Sequence, residues 1–386
     1  MRKYFEFYNG AKIKCGEAAL MTIGAELAAA GCKAPLLLCS SSQEKLGLLD
    51  KVMQAIPAEL SEKVVLYSSV PMKMDQDVVK EIEKVYVAKE CDGIIAIGGD
   101  SVMDTAKCLR LFLSQNCDEL LPLLGNVINK KSLAPLFVIP TENGSGREAS
   151  GELSVGETYV STEAIVPDVV IIDEDTAMAT NAKTIAKCGA FALANAIESY
   201  LYAEEEDPAT AYAEKSISLL TKNLVNAAKD GDNEEACRAT ALACTYAGIA
   251  YGNAPFGAAH ALAEAIGEIT DETEDSAFSM TLVPAMKRAL KDREQRLKTV
   301  FYLAKGATEY AETPDSERAQ AAISAIESLF EELREVTQIY TKISQTKIMR
   351  EIFGTIAEAA ANRRSAITAF SPITKDEFIA LLNEAY

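Results

Sequence analysis

Short apolar runs, separated by longer stretches in which apolar positions recur every three or four residues, organise the first half of this chain. The runs are "APLLLC" at 34–39, "KVVLY" at 63–67, "GIIAI" at 93–97 and "APLFVIP" at 134–140. Unbroken apolar character over so few residues marks strands covered on both faces. The segments Ala18–Ala30, Gln43–Ile56, Asp77–Glu90 and Val102–Ser114 have helical length and composition. Such alternation predicts a parallel sheet wound with helices. A stretch richer in β-branched residues, "GELSVGETYVSTEAIVPDVVIID" at 151–173, predicts a hairpin and a returning strand. Beyond Asp175 the strand signals cease. From Thr184 to Tyr386 the chain is rich in Ala, Leu, Glu and Lys at helical spacing, broken only by "EEEDPAT", "KDGDNEE", "GNAPFG", "ETPDSE" and "AFSPIT". The expectation is an α/β domain over 1–178, an all-helical domain over 179–386, and a ligand-binding cleft between them.

Composition narrows the class. With 49% hydrophobic and 25% charged residues the chain is an ordinary globular protein, long enough for roughly two or three domains. Its 38 Lys plus Arg stand against 57 Asp plus Glu, a formal charge of −19. That surface repels phosphate backbones and anionic lipid, so no nucleic acid and no membrane partner is expected. No apolar run reaches membrane-spanning length and the first residues, "MRKYFEFYNG", carry no export signal. The nine cysteines include no CxxC pair, which suits reduced thiols and a cytoplasmic home.

The chemistry concentrates in "AIGGDSVMDTAKCLRL" at 96–111, a buried strand ending in a glycine turn that opens a helix. Free N–H groups and the helix dipole make such a turn a place to hold a phosphate. A structural role is equally open: Ser101 and Asp104 have capping-box spacing, and Lys107 is placed to pair with Asp104. Asp100 is out of place in an anion-binding turn.

"GGDSVMDTAK" resembles the GGGSxxDxAK signature of the iron-containing (group III) alcohol dehydrogenase family. "PTENGSGREAS" at 140–150 is similar to that family's PTTAGTGSE loop, "PDVVIID" at 167–173 to the strand entering its interdomain link, and "CGAFALANAIESYL" at 188–201 to its GMDALTHAIEAY helix. "GAAHALAEAIG" at 257–267 resembles the segment of its later histidines. These motifs are colinear along nearly the whole chain. The resemblance implies a Rossmann-like dinucleotide-binding α/β domain plus an all-α C-terminal domain, the dehydroquinate synthase-like architecture, and a homodimer. It implies a hydride moved between NAD or NADP and an alcohol, aldehyde or ketone, with a divalent metal polarising the substrate oxygen. Cofactor contacts would fall on Ser40, Gly98, Gly99, Asp100, Ser101, Asp104, Lys107, Thr141, Gly144 and Ser145.

Several family positions are replaced. Of the four metal ligands the resemblance implies, the Asp position is Phe191, the first His position is Asn195, the third ligand matches as His260, and the last falls on Asp275; a further family histidine is Glu264. The chain has one histidine in all. Asn195, His260 and Asp275, with Glu264, form an oxygen-rich remnant able to hold Mg or Mn weakly; the favoured alternative is a hydrogen-bonded His260–Glu264 pair in a dead site. If chemistry occurs, His260 and Glu264 are the candidates. Asp100 stands where the family has its third glycine, Arg147 replaces a serine, and Ser40 replaces the ribose-binding Asp, which permits NADP. Two functions follow as expectations: an alcohol dehydrogenase-like oxidoreductase with an altered or absent metal site, or a catalytically degenerate binding or partner subunit.

Overall fold

The continuous apolar runs become the interior of a parallel sheet. The computed structural model describes residues 4–45, 47–117, 119–120, 133–141, 144–155, 158–177, 181–368 and 371–386. Within the first unit, Tyr8–Thr180, six strands are β1 (Lys12–Cys15), β2 (Pro35–Cys39), β3 (Val65–Tyr67), β4 (Gly93–Gly98), β5 (Leu136–Pro140) and β8 (Val169–Ile172). They lie in the order β1-β8-β5-β4-β2-β3, every neighbouring pair parallel. Every residue of β2, β4, β5 and β8 is buried, which is why those segments carry no polar alternation.

Alternate residues Leu37, Cys39, Ile95, Ile97, Phe137 and Ile139 form one core with Ile23, Leu27 and Val52. These last come from helices α1 (Ile23–Ala29) and α3 (Leu48–Ala55). Each fully buried Leu or Ile there contributes about 1.5–3 kcal/mol relative to exposure. Between α1 and β3 lie also α2 (Ser41–Lys45) and the single turn α4 (Ala58–Ser61). Helix α5 (Gln76–Ala88) is capped by Asp75, which accepts the Asp77 N–H at 2.8 Å, and α6 (Asp100–Gln115) packs on β4 and β5. The expected hairpin is present as β6 (Glu152–Val155) and β7 (Thr158–Ser161), and α7 (Glu174–Ala177) follows β8.

β1 has no counterpart among the expected strands. Its sequence, KIKC, is short and half polar because it forms a sheet edge, and Lys12 and Lys14 each reach Glu26 at 2.8 Å. Those two lysines hold the Glu26 carboxyl below its usual range.

The second unit, Met1–Phe7 with Asn181–Tyr386, is helical. Its elements are α8 (Ala182–Tyr202), α9 (Ala209–Lys229), α10 (Glu234–Tyr251), α11 (Ala258–Ile269), α12 (Glu274–Glu312), α13 (Arg318–Thr337), α14 (Phe353–Ala361), α15 (Arg364–Thr368) and α16 (Lys375–Ala385). Helix α12 is interrupted at Arg293 and Gly306, where the backbone leaves helical geometry. The links at 203–208, 230–233, 252–257 and 313–317 fall where Gly, Pro, Asp or Asn cluster. The expected boundary at 178/179 falls outside the described residues. Residues 4–7 group with the helical unit rather than the α/β unit, and Phe7 stacks on Tyr212 of α9 at 5.8 Å. Among the described residues no helix is long and apolar enough to cross a membrane.

Candidate functional site

Strand register assembles the first candidate site. Cys39 lies opposite Ile97 and Gly98 opposite Pro140, so Ser40, Gly98 with Gly99, and Thr141 emerge side by side at the carboxyl ends of β2, β4 and β5. Here β2 leads to β3 on one side while β4 leads to β5 on the other, a reversal of strand order that opens a crevice for ligands. Gln43 joins the strand ends: its Nε2 donates to the Thr141 hydroxyl at 3.3 Å and its Oε1 accepts from the Ser40 hydroxyl. Helix α6 starts at Asp100 with Gly99 as a cap that offers no side chain. Among the described residues the N–H groups of Asp100 and Ser101 have no acceptor. A glycine strand end, a sixteen-residue helix and orphan N–H donors fit a dinucleotide phosphate.

The capping box expected of Ser101 and Asp104 is not formed. Ser101 donates instead to the Pro71 carbonyl, and Asp104 Oδ2 accepts from Arg147 Nη1 at 2.7 Å. Lys107 makes no ion-pair contact with Asp104; its Nζ donates to the carbonyls of Arg147 at 2.6 Å and Glu152 at 2.8 Å. Distant partners win because Asp104 and Lys107 are buried, with Arg147 of the second glycine loop against both, while Ser101 finds the Pro71 carbonyl. Burial pushes Asp104 up to about 6 against the pull of Arg147 and Lys107, and burial draws Lys107 down to about 8. Asp100 joins the same network: its Oδ1 accepts from the Ser145 hydroxyl and its Oδ2 lies 3.6 Å from Arg147 Nε. The loop itself turns through Gly144 at φ +71°, where a Cβ would come within 2.6 Å of Glu148 Oε1. Glu148 in turn accepts the Gly146 N–H at 3.0 Å.

The second candidate site lies in the helical unit. Asn195 and Glu198 sit one turn apart on α8, and α11 delivers His260 between them. His260 Nδ1 is 2.5 Å from Glu198 Oε2 and Nε2 is 2.7 Å from Asn195 Oδ1. Glu198 also accepts the N–H groups of Gly257 at 3.0 Å, Ala259 at 2.9 Å and His260 at 3.3 Å, so one carboxylate both caps α11 and orients the imidazole. Gly257 is required by that approach, since a Cβ there would stand 2.7 Å from Glu198 Oε1 and 2.3 Å from the Tyr202 ring. The imidazole has no exposed surface. It stacks on Phe256 at 5.0 Å and Tyr251 at 5.1 Å, meets the edge of Phe278 at 4.9 Å, and is flanked by Phe191.

The expected partners of His260 are thus only partly assembled. Asn195 touches it. Glu264 does not pair with it: Glu264 lies 3.8 Å from Arg363 Nε, and burial, with Glu274 nearby, pushes its carboxyl up to about 7. Asp275 turns to Lys187 at 3.5 Å. Glu198, absent from the sequence-based set, is the main partner; its signal was a carboxylate one turn beyond Asn195 on an otherwise apolar helix face. Both ring nitrogens face side-chain oxygens, Glu198 Oε2 and Asn195 Oδ1, and Phe191 offers no donor. Among the described residues no group of three His, Cys, Asp or Glu is placed to hold a metal. The residues present do not fit an iron or zinc site, which needs imidazole nitrogens and carboxylates facing a common point.

The iron-containing alcohol dehydrogenase family model matches residues 10–174, and the C-terminal model of the Fe-containing alcohol dehydrogenase family matches 185–386. The choline dehydrogenase of Bacillus subtilis is 27% identical over 369 residues, covering 91% of this chain and 88% of that protein. Among solved structures, the alcohol dehydrogenase from Oenococcus oeni superposes with a TM-score of 0.90 at 23% identity, covering 99% of this chain and 100% of that one. The sulfoacetaldehyde reductase from Bifidobacterium kashiwanohense, solved in complex with NAD+, superposes with a TM-score of 0.83 at 18% identity, covering 99% and 98%.

Proposed function

Because this chain belongs to the iron-containing alcohol dehydrogenase family, we propose that it is an NAD(P)-dependent oxidoreductase that interconverts an alcohol with an aldehyde or ketone and works without a resident metal. The observation that carries this is the reversal of strand order at the ends of β2, β4 and β5, where among the described residues the N–H groups of Asp100 and Ser101 at the start of α6 have no acceptor. The bound nicotinamide would supply the hydride acceptor or donor. Thr141 and Ser145 would bind from the second loop. Ser40, a neutral residue at the end of β2, leaves room for either NADH or NADPH. In the helical unit, His260 acts as a pin: Glu198 and Asn195 fix it, and it holds the start of α11 against α8. With no exposed surface it does not itself meet substrate, so the proton of the alcohol is exchanged with water.

A second reading, a non-catalytic partner subunit, is favoured by one observation: the only imidazole is sealed within aromatic rings. Calorimetric titration with NADH and NADPH, with and without Mn, Zn or Fe(II), followed by a screen of aldehydes, separates the two. Metal-independent binding with turnover supports the oxidoreductase. Binding without turnover of any carbonyl substrate supports the partner subunit, and no binding up to millimolar dinucleotide removes the oxidoreductase.

A further inference from the structure

The charged residues that decorate the glycine loops are not scattered substitutions. Asp100 and Arg147 stand on different loops, 47 positions apart in sequence, and meet in space together with Asp104. Asp100 occupies the first turn of α6, where a negative charge is favoured. Its carboxylate takes the Ser145 hydroxyl on one oxygen and faces Arg147 Nε with the other. The donors that the second loop would offer a phosphate are therefore already answered by a carboxylate of the protein. Asp100 is also the exposed member of the cluster, with 40% of its side chain accessible, whereas Asp104 is 6% and Arg147 16% accessible. The protein encloses Asp104 and Arg147, whereas Asp100 borders solvent.

We propose that Asp100 is a built-in anion that competes with the dinucleotide phosphates for Ser145 and Arg147, and that Arg147 receives the phosphate once Asp100 is displaced. This rests on the nucleotide-binding role proposed above. It makes Asp100 and Arg147 the residues that set dinucleotide affinity in this chain. The guanidinium stays held at its far end by Asp104, which keeps it aimed at the loop while its Nε side changes partner. Charge, not shape, is the discriminating quantity, so the effect grows with the number of phosphates on the ligand and shrinks as salt rises.

The test is titration of the wild-type chain, D100N, D100G and D100G/R147S with NADH and with inorganic pyrophosphate at low salt. D100N keeps the size of the side chain, and the fold of every variant is checked by its thermal melt. Removing one full charge close to the phosphates is expected to lower both dissociation constants about tenfold in D100N and D100G. Adding R147S to D100G is expected to erase most of that gain. If the wild-type chain binds NADH and D100N binds it no more tightly, Asp100 is not a competitor, and the nucleotide-binding role stands without it. If neither wild type nor D100N nor D100G binds either probe up to millimolar concentration, the nucleotide-binding role fails and this inference falls with it.

Discussion

The glycine loops of the α/β unit and the histidine of the helical unit are held by opposite means. In the loops charges meet: Asp100 and Arg147 come together over Asp104, at an edge where Asp100 is 40% accessible. In the helical unit packing dominates: Phe191 and Phe278 crowd a His260 whose side chain, like that of Glu198, is almost wholly buried. At the exposed Asp100 end of that cluster the effect of one charge is reversible, because water and salt already screen it. A sealed pair is not, because each partner leaves the other buried and unanswered.

The largest effect should come from cutting the sealed pair. Glu198→Ala strands the His260 ring and the three N–H groups at the start of α11, and is expected to lose about 3–5 kcal/mol of unfolding free energy by urea titration. Asp100→Ala, by contrast, should cost less than about 1 kcal/mol. Equal losses in the two variants would erase the distinction between the sites. Next is Lys107→Met, which removes two buried hydrogen bonds from an ammonium to the carbonyls of Arg147 and Glu152. About 2 kcal/mol should be lost, with faster proteolysis in the loop around Arg147; unchanged proteolysis would mean that Lys107 does not hold that loop.

A smaller effect is read in pH. The Glu264 carboxyl rises from 4.5 to about 7 on folding, chiefly through burial and then through Glu274, against His260 and Arg363. A raised acid binds its proton more tightly when folded, so its contribution is full below pH 4.5 and is lost as pH rises toward 7. Asp104, raised from 3.8 to about 6, acts in the same direction over a lower window. Melting temperature should therefore fall between pH 4.5 and 7 in the wild type and fall less in Glu264→Gln. Parallel curves for the two proteins would remove Glu264 as a cause. The smallest effect is an expected zero: adding Zn, Mn or Fe(II) to the folded chain should leave its melting temperature unchanged, since a ligand stabilises only what it binds. A metal-dependent rise would reopen the helical site.

Much of the fold could be read from the sequence where a single signal dominated. The runs at 34–39, 93–97 and 134–140 had no polar alternation and became the fully buried β2, β4 and β5. β1 escaped because KIKC at a sheet edge carries neither a run nor a clean alternation. In the candidate sites, what the colinear motifs carried was visible, such as the pairing of Asn195 with His260. What depended on distant elements was not. Asp104 is claimed by Arg147 from another loop, and His260 by Glu198 from another helix, and local spacing instead suggested Lys107 and Glu264. Side chains choose partners across space, and a capping box or an i,i+4 pair is only the default when no buried partner of opposite charge is available.

His260 is the one histidine in the chain and its ring is shut away. The untagged protein therefore offers no imidazole to a chelating resin and none to an acylating reagent while it is folded. Its NMR spectrum holds a single set of imidazole ring signals, with no assignment needed. Any appearance of histidine reactivity, or any doubling of that set, times the moment at which α11 parts from α8.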